Sequence, residues 1–251
     1  MKETAGNEYQ GLSIEGVAIT VYATQYTYEY DSKGNDYDKD ATFYPVLDAA
    51  GLKDALVNGG NIRVDSDVVP TETLVAEKNT TLDMNGSTIA NENDIWNAAN
   101  NAWSLVSARG EGVELTINGN GTFQAKEDDC YAVDVQDGAN VVIENGTFIG
   151  NIHAVYVLEG TLTVKGGFFA VQQKYPDAAQ ANEFVLNCYD ENRADGKASI
   201  VVMGGTFVNF NPADCKAEGE QTNFVAAGYS VVSEKHGNDT WYTVVMGTGV
   251  T

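Results

Sequence analysis

Asp36, Asp38 and Asp40 in "DYDKDAT" stand at the spacing that opens an EF-hand loop. That loop also needs a glycine at its sixth position and a bidentate glutamate at its twelfth, where this chain has Ala41 and Leu47. A hydrated acidic loop is therefore the expectation, with calcium the alternative. Asp128, Asp129 and Asp134, with His153 further on, are the residue types of glycosidic-bond hydrolysis. Such chemistry sets two carboxylates about 5–9.5 Å apart around the sugar bond. Only Asp134 occupies an outward strand position in the reading below, so solvated corner acids and a hydrogen-bonded lone histidine are expected instead. Uronate elimination would need a base such as arginine beside calcium-binding carboxylates. Arg63 and Arg109 flank predicted strands and Arg193 falls in the loop "ENRADG"; none stands beside an acidic strand face. Cys130, Cys188 and Cys215 form an odd set without CxxC spacing, which predicts free thiols and neither a zinc site nor a disulfide framework. No catalytic, cofactor-binding or metal residue is assigned, and the chain is not expected to be an enzyme.

The elements that would carry these residues repeat. "TLDMNGSTI", "ELTINGNGTF", "NVVIENGTF", "TLTVKGGFF" and "SIVVMGGTF" share two apolar residues two apart, a polar glycine-containing corner, then a large apolar residue. The columns are Leu82, Leu115, Val141, Leu162 and Ile200, then Met84, Ile117, Ile143, Val164 and Val202. Beyond the corner come Ile89, Phe123, Phe148, Phe169 and Phe207, and Ile62 and Val64 supply an earlier member. A further strand lies between corners in "WSLVSA", "YAVDVQ", "HAVYVL" and "EFVLNC". Alternation points Val133, Val135, Val155 and Val157 inward and sends Asp134, Tyr156 and Leu186 outward. An outward column containing Tyr156 and Leu186 needs a cover; the 171–183 insertion is the nearest candidate and a partner subunit the alternative.

Short strands recurring at a near-constant period, with loops absorbing the length differences, mark stacked coils. The expected fold is all-β: a right-handed parallel β-helix of about six or seven coils. An antiparallel sandwich is the alternative. A capping helix is expected at about residues 48–58 and a closing hairpin at about 223–246. Residues 1–45 hold seven of the thirteen tyrosines and lack the repeat, which suggests a separate attachment or oligomerisation segment before a β-helix domain at 46–251.

The chain carries 36 acidic against 14 basic side chains, a net charge of −22. That field repels phosphate backbones and anionic bilayers, so neither nucleic acid nor membrane is an expected partner. No stretch has the length and apolarity of a membrane span, and the N-terminus has no apolar signal core.

The stretches "LKDALVNGGNI", "TTLDMNGSTI", "CYAVDVQDGANVVIENGTFIGNIHAVYVLEGTLTVKGG", "QKYPDA", "EFVLNCYD", "GGTFVNFNPAD" and "NFVAAGYSVV" resemble the pectate-lyase-like β-helical virion fibre and decoration proteins of gut bacteriophages, including crAss-like phages. The resemblance runs from about residue 50 to 246 and leaves residues 1–45 outside it. It implies a structural head-fibre or capsid-decoration protein, assembled in the host bacterial cytoplasm and located in the virion. Its implied partners are other copies of itself, a trimer among the arrangements, capsid or tail proteins, and host or mucosal glycans. It transfers no catalytic residue. A polysaccharide lyase or hydrolase of an acidic glycan acting on the Asp134–Tyr156 face, and a bacterial surface adhesin, are the alternatives.

Overall fold

The computed structural model describes residues 43–173, 184–219 and 222–247. These all belong to a single compact unit. The unit is mostly β-structure, arranged in three sheets that are parallel throughout except at one end. The first sheet runs β1 (Tyr44–Val46), β2 (Gly60–Val64), β4 (Thr80–Asp83), β7 (Glu114–Asn118), β10 (Ala139–Ile143), β13 (Gly160–Val164) and β16 (Ala198–Val202). The second runs β5 (Thr88–Ala90), β8 (Thr122–Gln124), β11 (Thr147–Gly150), β14 (Phe168–Val171) and β17 (Thr206–Val208), and the antiparallel hairpin of β19 (Asp239–Met246) and β18 (Tyr229–His236) extends it. The third is β3 (Leu74–Ala76), β6 (Ser104–Arg109), β9 (Tyr131–Gln136), β12 (Val155–Val157) and β15 (Leu186–Cys188). From β4 onward the chain visits first, second and third sheet in a fixed cycle, so each strand pairs with its counterpart one winding away. This is consistent with a parallel β-helix.

Alternation decides what fills the interior. Val141 faces Leu115 and Leu162, and Leu162 faces Ile200, all buried. Past the glycine corner Phe123, Phe148, Phe169 and Phe207 are fully buried, with neighbouring rings 4.9, 5.1 and 4.9 Å apart and within 13° of parallel. In-register parallel strands impose this geometry, because like residues recur at the interstrand spacing of about 4.8 Å. Burial of each ring contributes about 1.5–3 kcal/mol.

One column departs from the expected register. Leu82 faces Ile117, not Leu115, and Met84 falls past the end of β4 at the corner. Ile89 still pairs with Phe123, so the two-residue slip is taken up in the corner between β4 and β5, where Met84 lies. A slip of two leaves every side chain on its own face, so Met84 stays buried. Leu186 is a second correction: it pairs with Val155 and is buried, while Asn187 occupies the outward place beside Tyr156. The Val185 carbonyl accepts both the Ala154 and Val155 N–H groups, so strict alternation is broken there and Val185 and Leu186 both face inward.

Helix α1 (Ala49–Asn58) starts where the Asp48 carboxylate accepts the Gly51 N–H at 2.7 Å, and buries Leu52, Ala55 and Leu56. Among the described residues no helix is long and apolar enough to cross a membrane.

Candidate functional site

The outer face of the third sheet concentrates the chemically capable side chains. Strand register lines up Ser107, Asp134, Tyr156 and Asn187 across β6, β9, β12 and β15. Asp134 does point away from the interior, but it is 0% exposed, which corrects the expectation of an outward carboxylate open to solvent. Residues 91–103 supply the described cover. Of the 171–183 insertion expected in that role, 174–183 lie outside the described residues.

The cover is held down by a carboxylate in the "EDDC" corner. Buried Asp129 accepts the Asn91 side-chain amide at 2.7 Å and the Ile95 and Trp96 N–H groups at 3.0 and 3.1 Å. At its other end the Asn101 carbonyl accepts from Arg109 and from Gln136, both at 2.8 Å. Beneath that carbonyl Asp134 accepts from Ser107 at 2.5 Å, Ser104 at 2.7 Å and Gln136 at 2.8 Å. Arg109 Nε donates to the Ser107 hydroxyl at 2.9 Å, which links its charge to the carboxylate through one oxygen. Burial pushes the Asp134 carboxyl above its ordinary value, against the pull of the Ser107, Ser104 and Gln136 bonds and the Arg109 charge.

Aromatic rings close the same face. Tyr131 lies 4.4 Å from the His153 ring and 5.6 Å from Tyr156, and His153 stacks on Tyr156 at 5.1 Å. Trp103 meets Tyr156 edge-on at 6.0 Å, and Trp96 lies over Trp103 and Tyr131. His153 Nδ1 is 2.8 Å from the Phe184 carbonyl, an acceptor only, so Nδ1 carries the proton of that bond. Burial pushes His153 down to about 4 and Tyr156 up to about 12. Trp96, 41% exposed, is the ring this cluster leaves to solvent.

Of the acids and histidine named from sequence, the structure brings Asp134 and His153 to one face but seals both. Asp129 is turned into the clasp, and Asp128 stays at the exposed corner. No accessible carboxylate pair results from these residues. Arg63 is bound bidentately by Asp65, at 2.7 and 3.1 Å. Arg193 lies 2.7 Å from the buried Glu218 carboxylate and donates to the Glu218 carbonyl at 2.8 Å. Burial pushes the thiols of Cys188 and Cys215 up to about 12 and 11, and that of Cys130 higher still, so all three are unreactive as free, buried groups. Among the described residues no group of three or more acidic, histidine or cysteine side chains is placed to hold a metal ion, and Asp36, Asp38 and Asp40 lie outside them. Sequence reasoning missed Asp129, Asn101 and Glu218 as structural acceptors; the acidic "EDDC" corner preceding an inward strand was the available signal for the first.

Two consequences are measurable. Ser104 Oγ sits 2.8 Å from the Val106 carbonyl as well as 2.7 Å from Asp134. In Asp134→Asn that hydroxyl can give its proton to Val106 and accept from the new amide, so the variant is expected to unfold within about 1 kcal/mol of wild type. Asp134→Ala strands Ser107 and Gln136 and should cost about 3 kcal/mol. Equal losses for the two in denaturant titrations would contradict this network. For His153, an unfolded histidine titrates near 6.5 and the folded one at about 4. Between those values the unfolded chain binds the proton that the fold rejects. The contribution of His153 is thus complete above pH 6.5 and lost as pH falls toward 4, by about 3 kcal/mol. The stability difference between wild type and His153→Gln should shift by that amount across this window; a constant difference would exclude the assignment.

No family model, curated protein or solved structure matches this chain.

Proposed function

We propose that this chain is a structural virion protein, a head fibre or capsid decoration of a bacteriophage. The observation that supports the reading is the consumption of its reactive groups: Asp134, Asp129, His153 and the three cysteines are all sealed into the scaffold. What is left to solvent is a strongly acidic exterior, suited to many copies held close together without precipitating. On this reading the winding is right-handed, of about six or seven coils. Helix α1 covers its first end, the β18–β19 hairpin closes the other, and residues 1–45 attach it to a capsid or tail component. Copies associate with one another, and the projecting surface meets host or mucosal glycans.

Particles purified from lysate should contain the chain at a fixed stoichiometry, and a version lacking residues 1–45 should be left behind in the soluble fraction. Its absence from intact particles would refute the assignment; incorporation of the shortened form would refute the anchor.

A further inference from the structure

The three sheets end differently at the last winding. In the third, the Cys188 N–H of β15 donates to the Glu218 carboxylate at 2.7 Å, so a side chain replaces the missing strand. In the first, the Val202 N–H of β16 donates to the Phe224 carbonyl at 2.8 Å and the Val202 carbonyl accepts the Ala226 N–H at 2.9 Å. The second continues into the hairpin, and among the described residues no strand lies beyond β18.

Hydrogen-bond parity shows which groups that edge offers. The Val244 N–H donates to the Gly205 carbonyl and the Asn209 N–H to the Thr240 carbonyl, so Thr240, Tyr242 and Val244 of β19 face β17. The alternate residues Asp239, Trp241, Thr243 and Val245 face β18, opposite His236, Glu234, Val232 and Ser230. The turn Gly237-Asn238 agrees: Gly237 has φ +64°, as a two-residue hairpin with glycine first requires, and such a turn closes on a hydrogen-bonded pair. Hence the backbone N–H and C=O groups of Val231, Ser233 and Lys235, with the Tyr229 carbonyl, point away from the other described strands, while the Tyr229 N–H donates to the Ala226 carbonyl at 3.1 Å.

We propose that β18 is a homodimerisation edge, pairing antiparallel with β18 of a second copy about a two-fold axis at Val232. These residues are symmetric about Val232, so one self-pairing register uses every open group except the Lys235 carbonyl. It sets Tyr229 opposite Lys235 of the second copy, Val231 opposite Ser233, and Ser230 opposite Glu234. Val232, 52% exposed, meets its own counterpart in a non-hydrogen-bonded pair, where side chains approach most closely. The competing registers are worse. Centring on Glu234 or Lys235 places like charges face to face, centring on Ser233 sets Val232 against a carboxylate, and centring on Val231 leaves Lys235 beyond the start of the second copy's strand. Glu234 and Lys235 cancel within the strand, so two chains of net charge −22 can meet here at little electrostatic cost. A second copy is therefore the occupant that this edge fits.

This inference bears on the self-association in the virion reading but is tested apart from it, on the isolated full-length chain. Sedimentation over the micromolar range should show a reversible dimer. Ser233→Pro removes an N–H that faces outward and leaves the hairpin ladder whole, so it should yield a monomer melting at the wild-type temperature. Val232→Lys and Val232→Glu, which place like charges across the axis, should each be monomeric and should form a heterodimer when mixed. A wild-type chain that stays monomeric, a trimer, or a dimer insensitive to Ser233→Pro and to both charge variants would overturn the proposal. Neither result alters whether the chain is incorporated into particles.

Discussion

Replacing Gly160 by alanine is expected to be severely damaging for a change of one methyl group, costing more than about 4 kcal/mol and leaving little soluble folded chain. Gly160 opens β13 with φ +126°, a backbone conformation that an L side chain seldom adopts. Its register partners are Ala139 on one side and Ala198 on the other, so a methyl group is acceptable in the adjacent windings. At Gly160 an added Cβ would lie 2.0 Å from the Ala139 carbonyl oxygen and 3.0 Å from the Ala139 nitrogen. Those are backbone atoms of the neighbouring strand, fixed by the ladder on both of its edges, and they cannot swing aside as a flexible side chain would. Expression yield and chemical denaturation of Gly160→Ala against Gly196→Ala provide the check. Gly196 also has positive φ, but an added Cβ there meets nothing. Equal losses would show that dihedral strain alone, without the close approach, sets the cost.

The second large effect separates two adjacent residues. Phe169→Ala should cost about 3–5 kcal/mol, because the ring is fully buried and stacked between Phe148 and Phe207. The rings above and below belong to hydrogen-bonded strands, so they cannot collapse into the space left behind. Phe168→Ala removes a half-buried ring on the outer face that meets Trp241 edge-on at 5.1 Å, and should cost about 1 kcal/mol. The ratio between the two, read from denaturant midpoints, tests whether the interior ladder supplies the bulk of the stability. Similar values would deny it that part.

The interior was legible because two signals coincide in each repeat. Period-two alternation separates inside from outside, and the corner fixes the phase at which Phe123, Phe148, Phe169 and Phe207 come together. Where one signal weakens, the reading drifts. The longer corner between β4 and β5 hides the register slip that pairs Leu82 with Ile117. At Leu186 the shared acceptor on Val185 interrupts the alternation, and pattern alone assigns the wrong face. The fate of Asp134 was not readable at all. Its partners Ser104 and Ser107 lie 30 and 27 residues away, and its lid is positioned by Asp129 and Asn101 through backbone atoms whose place depends on the completed fold. An outward strand position therefore says which way a side chain points and nothing about what lies over it.

The winding between Asn140 and Gly160 advances the chain by one whole repeat, since Asn140 is matched by Thr161 in the next strand of the first sheet. It contains β10, β11 and β12 with no insertion. Duplicating it in tandem would bring each copied strand back into phase with both neighbours. The stack of strands would lengthen by about 4.8 Å, with one more phenylalanine in the ladder and no new kind of contact. Reach is thus a modular property here, adjustable by gene duplication in whole steps while the first and last strands of the stack keep the neighbours they already have.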